Sequence, residues 1–287
     1  MKDEKPDRKA KPFLKWAGGK QRLLSQYEAY FPPDFKGYIE PFLGGGALFF
    51  HLWNTYRLPH RSFLSDNNEE LINTYRVLRD QVDKLIELVA IHKQNHNKEY
   101  YYKIRSLDRQ DVKLDDVERA ARTIYLNKTC YNGLYRVNSK GQFNAPMGSY
   151  KNPKILYEET LRTASAALQE VCLEARDYRT IVEFVQAGDF CYFDPPYDPV
   201  SKTASFTGYT AGSFRDEDQR QLAELFAELD KKDCLCMLSN SYTPFILELY
   251  QHFRIEIAQA KRAINSDANG RGNINEVVVL NYKELEI

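Results

Sequence analysis

Short apolar runs of strand length alternate along the chain with stretches in which apolar residues recur every three or four positions. Residues 37–40 form a strand candidate. A turn, Pro41-Phe42-Leu43-Gly44-Gly45-Gly46, leads from it into an apolar helix at 47–53. Residues 62–66 form a second strand that ends in an acid. From 68 to 92 the positions Leu71, Ile72, Tyr75, Leu78, Val82, Leu85, Leu88 and Val89 keep helical spacing, which predicts one long helix. Helices are also expected at 117–127 and 156–168. The stretch between them, 128–153, is rich in Gly, Asn and Tyr and reads as irregular. The apolar run 191–193 is expected to be the central strand. Residues 214–231 form an amphipathic helix with Leu222, Leu225, Phe226 and Leu229 on one face. A strand at 234–238 and a helix at 243–253 follow. Paired strands at 255–259 and 277–282 close the chain, joined by a polar loop containing Asn269-Gly270-Arg271-Gly272.

Strands that alternate with helices predict an α/β fold with a Rossmann-like, doubly wound, mostly parallel sheet. The closing pair adds an antiparallel edge. Residues 68–157 break the alternation, being helical and then irregular. They read as an insertion into one α/β domain made of residues 1–67 and 158–287.

Composition is that of an ordinary globular protein, with 287 residues, 43% hydrophobic and 28% charged. No apolar run approaches the length of a membrane span. The charged N-terminus, Met1 to Lys11, lacks the apolar core of a secretory signal and is expected to be a tail. A cytoplasmic location without membrane contact is the expectation. Cys130, Cys172, Cys191, Cys234 and Cys236 have no zinc-ligand spacing and are expected to be reduced, buried thiols. His92 and His96, four apart, lack the further ligands that a metal requires, so no metal is expected. Formal net charge is zero. Yet no Asp or Glu lies between Arg119 and Tyr157, a stretch holding Arg122, Lys128, Arg136, Lys140, Lys151 and Lys154. One-signed charge in a neutral protein points to a surface that faces a polyanion.

Two segments carry the chemistry. The octet Phe190-Cys191-Tyr192-Phe193-Asp194-Pro195-Pro196-Tyr197 is a buried strand that stops at an acid, two prolines and an aromatic ring. Proline fixes φ and removes a backbone donor, so nearby carbonyls are left to accept from a ligand. Asp194 adds a second acceptor, and Tyr197 offers a face for stacking. Two acceptors and a ring suit a planar heterocycle with an amino group, such as adenine. In the other segment, Gly44, Gly45 and Gly46 follow a strand and open a helix, allowing a tight turn and close approach of a ligand. Glu40 ends the strand before the turn. Asp66 ends the next strand, where a carboxylate can accept from ribose hydroxyls. The glycine spacing is not the dinucleotide fingerprint, and no Gly-Lys-Ser/Thr phosphate cradle is present. A cofactor without a pyrophosphate fits better, and S-adenosylmethionine is one. Trp16 and Lys20, before the first strand, could cover the ligand and meet a carboxylate.

These segments together resemble the Dam family of DNA adenine methyltransferases over nearly the whole chain, from Phe13 to Tyr282. The matching runs are Phe13 to Lys20 (FLKWAGGK), Glu40 to Gly46 (EPFLGGG), Ser65 to Asn73 (SDNNEELIN), Tyr131 to Arg136 (YNGLYR), Phe143 to Pro146 (FNAP) and Asp194 to Tyr197 (DPPY). Phe206 to Tyr209 and Leu238 to Asn240 follow in the family's order. The resemblance implies S-adenosyl-L-methionine as methyl donor, S-adenosyl-L-homocysteine as product, and GATC in double-stranded DNA as target. It implies cofactor contacts from Trp16, Lys20, Asp66 and Asp194, with Glu40, Phe42, Gly44, Gly46 and Asn67 completing the expected set. It makes 68–157 the target-recognition domain, with Tyr131 and Asn132 as wedge and Lys15, Leu134, Arg136 and Pro146 as base contacts. Asp194, Pro195, Pro196 and Tyr197 form the implied catalytic motif, acting on a flipped-out base by direct transfer. A cognate restriction endonuclease in the cell is left open. Ser149 stands where family members often carry arginine, and Thr129-Cys130 precedes Tyr131 without the aromatic or glycine of some relatives. Rival readings keep the cofactor and change the acceptor to cytosine, RNA or a protein amide, or make the chain a non-catalytic DNA-binding regulator.

Overall fold

The computed structural model describes residues 9–55, 58–110, 112–199, 214–261 and 273–283. The run from Phe206 to Tyr209 and the loop containing Asn269-Gly270-Arg271-Gly272 lie outside the described residues, as does the expected tail up to Arg8, whereas its last part is docked, Ala10 being buried and exchanging two hydrogen bonds with Asn54. Strands β1 (Tyr38–Glu40), β2 (Ser62–Asp66), β3 (Val171–Ala175), β4 (Phe190–Phe193), β5 (Leu235–Ser241), β6 (Arg254–Lys261) and β7 (Asn273–Leu280) form one sheet in the order β3-β2-β1-β4-β5-β7-β6. The first five neighbours run parallel, and β7 is antiparallel to both β5 and β6. The antiparallel pair is therefore present, with β7 set inside β6, which takes the edge.

Strand β4 lies at the centre and is buried at all four residues. Its odd and even positions serve different cores. Phe190 and Tyr192 pack into one cluster, while Cys191 and Phe193 pack into the other. A strand covered on both faces must be continuously apolar, which is the pattern read from its sequence. Helices α8 (Asp216–Lys231) and α9 (Pro244–Leu249) cover the second face, with Leu222, Leu225, Phe226 and Leu229 inward. Thr243 caps α9, and Pro244 sits at its first turn. The helix ends at Leu249, earlier than the apolar spacing to 253 suggests.

The other face holds the short α1 (Leu24–Tyr27), then α2 (Ala47–Asn54), α3 (Glu69–Asp80) and α7 (Glu158–Leu168), with the inserted helices beyond. The expected single helix over 68–92 is two, α3 and α4 (Val82–Gln94), broken at Gln81 (φ −141°, ψ 43°). No Gly or Pro marks the break. The cause is tertiary: the Arg79 carbonyl accepts from Gln169 Nε2 at 2.9 Å, and its guanidinium reaches the Val171 carbonyl at 2.8 Å. Two further helices follow: α5 (Lys98–Ser106), unexpected from sequence and capped by Asn97, and α6 (Asp116–Thr129), with an Asp115/Glu118 capping box. Strand β3 was also not foreseen. As an edge strand it alternates Val171 and Leu173 inward with Cys172 exposed, which is too short a signal to read. Cys172 is thus an exception to the expectation of buried thiols, and all five cysteines are free. One continuous core joins Tyr38 and Phe190 of the sheet to Leu85, Tyr101 and Tyr125 of helices α4, α5 and α6. Among the described residues no helix is long and apolar enough to cross a membrane.

Candidate active site

The strand order reverses between β1 and β4, and ligands in open α/β sheets bind beyond the carboxyl ends at such a point. Glu40 ends β1, Asp66 ends β2, and Asp194 follows β4, so three carboxylates converge there. The Gly44 and Gly46 turn lies beside them at φ +46° and +66°, conformations that disfavour a Cβ. Gly44 donates its amide to Asp66 Oδ2 at 3.0 Å, and Asn68 donates to Oδ1 at 3.0 Å. Trp16 covers the turn so closely that a Cβ on Gly44 would stand 2.9 Å from its Cδ1. Trp16 also stacks on Tyr135 with centroids 5.4 Å apart, which joins this turn to the inserted region.

Glu40 is 2% exposed and accepts from the Tyr38 hydroxyl at 2.8 Å. Burial first, then the nearby Asp194 and Asp66, push its carboxyl up to about 8, with the Tyr38 hydrogen bond opposing. Burial also raises Asp66, against the two amides that hold it down. Asp194 is raised by burial as well, opposed chiefly by the Lys20 ammonium. Lys20 Nζ lies 3.0 Å from Asp194 Oδ1, which also accepts from Ser239 Oγ at 3.1 Å. Among the described residues nothing donates to Asp194 Oδ2 or to the Pro195 carbonyl.

The diproline corner is held from behind. Gln219 of α8 donates to the Pro196 carbonyl at 3.0 Å, and Asn240 of β5 donates to Gln219 at 3.1 Å. The Asp198 amide donates to Asn240 Oδ1 at 3.1 Å. The expectation that the carbonyls here are left free therefore narrows to Pro195, because an interior amide takes that of Pro196. Tyr197 lies beneath the Lys20 ammonium, 4.1 Å from the ring centroid, and donates its hydroxyl to Glu276 Oε2 at 2.6 Å. Burial raises that hydroxyl well above its ordinary range, so it stays a donor.

Phe42 turns toward the second core and stacks on Tyr178 at 5.1 Å. Asn67 is exposed. The other expected group gathers on a hairpin-like loop pinned by bridges Cys130–Met147 and Val137–Phe143. Tyr131, 51% exposed, donates its amide to the Pro146 carbonyl at 2.8 Å. Asn132 holds φ +54° beside Gly133, where a Cβ would strike the Lys15 side chain at 2.6 Å. Lys15 is tied through its backbone to Asn127, and its ammonium lies 4.2 Å from the Tyr150 ring centre. Leu134 is half-buried. Arg136 is exposed and steered by Asn144, which accepts from Nε at 2.6 Å.

The polyanion-facing reading of 119–157 needs correction at three positions. Arg119 pairs with Glu70, and Arg122 is buried on Asp108 and two carbonyls. Lys128 is half-buried and pushed down to about 8 by burial, then by Lys15 and Lys11. Arg136, Lys140, Lys151 and Lys154 remain exposed. His92 is also interior, stacked on Tyr125 and lowered to about 4 by burial. No cluster of metal-ligating side chains occurs among the described residues.

Sequence reasoning missed Tyr27, Gln219 and Glu276 around Asp194 and Tyr197. Only Ser239 and Asn240 carried a signal, within the run from Leu238 to Asn240. A model of the D12 class N6 adenine-specific DNA methyltransferase family matches residues 16–264. The type II methyltransferase M.MjaIII of Methanocaldococcus jannaschii is 45% identical, covering 95% of this chain and 99% of its own length. M1.LlaDCHI, a type II methyltransferase of Lactococcus lactis subsp. cremoris, is also 45% identical, covering 95% of each chain. A DNA adenine methylase of Escherichia coli K12 is 32% identical over 96% of each.

Proposed function

This chain belongs to the D12 class of N6 adenine-specific DNA methyltransferases, and from that membership we propose that it methylates the adenine of GATC with S-adenosylmethionine as donor. The observation that carries the reading is the pair of acceptors, Asp194 Oδ2 and the Pro195 carbonyl, to which nothing among the described residues donates, beyond the central strand at the sheet's switch point.

The residues fit a sulfonium-bearing adenosine. Glu40 is a buried acid that no cation among the described residues meets, Asp66 ends the neighbouring strand, and the Gly44 turn under Trp16 is a cradle that a Cβ would fill. When bound, the cofactor supplies an electrophilic methyl group. Trp16, Lys20, Asp66 and Asp194 would contact it, with Glu40, Phe42, Gly44, Gly46 and Asn67 around them.

The target amine is out of reach inside a duplex, so the base must be extruded at a cost of roughly a few kcal/mol. Tyr131 and Asn132 would fill the gap. Tyr197 would stack on the extruded ring. Its amine is a weak nucleophile, because the lone pair is delocalised into the ring. Accepting its two hydrogens at Asp194 and Pro195 draws the nitrogen toward tetrahedral geometry and frees that lone pair. This is catalysis by positioning and electrostatics. Residues 68–157 would read the target, with Lys15, Leu134, Arg136 and Pro146 meeting bases. The guanidinium fork of Arg136 matches a guanine edge. The printed names of the two 45% relatives also favour a restriction–modification role.

The test is transfer of labelled methyl from S-adenosylmethionine to duplexes with GATC or a single changed base. Transfer confined to GATC is expected, and Asp194→Ala is expected to abolish it. Residual methylation by that variant, or indifference to the four-base site, overturns the proposal.

A further inference from the structure

We infer that Glu276 is a positioning residue for the methyl transfer, fixing through the Tyr197 hydroxyl the plane of the ring on which the extruded adenine stacks. The inference rests on the reading of Tyr197 as that platform.

Tyr197 leaves the diproline corner in a segment without regular structure. A ring there has two side-chain torsions to settle, and the Lys20 ammonium, 4.1 Å from the ring centroid, bears on its face alone. Glu276 supplies the missing constraint from a rigid element. It lies on β7 between β5 and β6, opposite Ser241 on one side and Ala258 on the other. Its Oε2 takes the Tyr197 hydroxyl at 2.6 Å, a short, charge-assisted hydrogen bond. The same oxygen stands 3.4 Å from the Tyr27 hydroxyl and 3.7 Å from Lys20 Nζ. Lys20 in turn touches Asp194 at 3.0 Å. A carboxylate, an ammonium and a second carboxylate thus run in a row beneath the crevice. They hold the stacking ring and the amine acceptor at a set separation.

Strand β7 has no need of an acid here. Glu276 opens an apolar run, Val277 to Leu280, and its side chain is only 15% exposed. Burying a carboxylate is costly unless its partners compensate, and its partners are the groups of this site.

The experiment is a double-mutant cycle read in steady-state kinetics on a GATC duplex. Tyr197→Phe and Glu276→Ala should each lower kcat about tenfold, with a smaller change in KM for DNA. Their combination should fall by about the same tenfold, because both delete one link. Glu276→Gln keeps an acceptor and should stay within about twofold of the wild type. With 2-aminopurine at the target position, emission in the complex should rise for Tyr197→Phe and Glu276→Ala as stacking loosens. A combined loss near a hundredfold, or Tyr197→Phe turning over like the wild type, overturns the inference. Should the alanine variant not fold, Tyr197→Phe alone decides, since it removes one hydroxyl and leaves Glu276 in place. A wild-type chain that transfers no methyl to adenine sinks instead the reading on which the inference rests.

Discussion

Single residues set the chemistry through burial more than through type. Glu40 and Asp194 look alike in sequence as acids at strand ends, yet among the described residues a cation meets Asp194 and none meets Glu40. The folded protein holds a proton on Glu40 up to about 8, against an ordinary value of 4.5. Between those values the native state binds more protons than the unfolded chain. Stability contributed by this group is therefore complete below about 4.5 and lost as pH rises through about 8. Glu40→Gln removes the titration and keeps an acceptor for Tyr38. Without cofactor, that variant should gain stability over the wild type as pH rises from 5 to 9, by a margin on the order of a few kcal/mol. Equal slopes in thermal scans across that range would contradict it. Asp194, Pro195 and Tyr197 were legible as a motif, because an apolar strand, an acid, two prolines and an aromatic follow one another directly and stand in order with the other runs. Glu276 and Gln219 were not. Each lies far along the chain from the corner it supports, and nothing in the local pattern ties them to it.

Elements act as frames, and the loop 130–147 shows how. Its bridges fix the two arms, and helix α6 together with the segment after α5 fixes the loop. Asp108 takes the Phe143 amide at 2.7 Å and the Arg122 guanidinium at 2.8 Å. The Tyr101 hydroxyl reaches the Ala145 carbonyl at 3.0 Å. Asp108→Ala leaves Arg122 largely buried without its carboxylate and should cost roughly 2–4 kcal/mol in denaturant unfolding. Arg136→Ala, by contrast, removes an exposed side chain. It should relax discrimination at one guanine by about 1–3 kcal/mol while binding to unrelated DNA changes little. Methylation rates on duplexes changed at each position separate this from a uniform loss. The irregular reading of 128–153 was right about the absence of long elements. The staples that make the segment rigid are side chains from helices that sequence could not orient.

The whole molecule has no net charge, so its affinity for DNA cannot come from a global field. The basic stretch that suggested a polyanion is divided by the fold. Arg119 and Arg122 turn inward to Glu70 and Asp108, while Lys151 and Lys154 stay in solvent. Only the second kind can displace counterions. Lys151→Ala and Lys154→Ala should each lower the slope of log affinity against log salt by about 1, and Arg119→Ala should leave it unchanged. A slope insensitive to either lysine would place the DNA elsewhere.

The sequence alone determined the alternation of strand and helix, the position of β4, the glycine turn and the order of the motifs. Those features are local: a strand covered on both faces is apolar along its length, and a turn that takes φ to +46° and +66° favours glycine wherever it occurs. Tertiary structure decided the break at Gln81, the place of β7 inside β6, the inward turn of Arg122 and the anchoring of Tyr197 by Glu276. Each of these depends on a partner distant in the chain. A hydrogen bond or a burial cost exists only once the fold has brought both groups together.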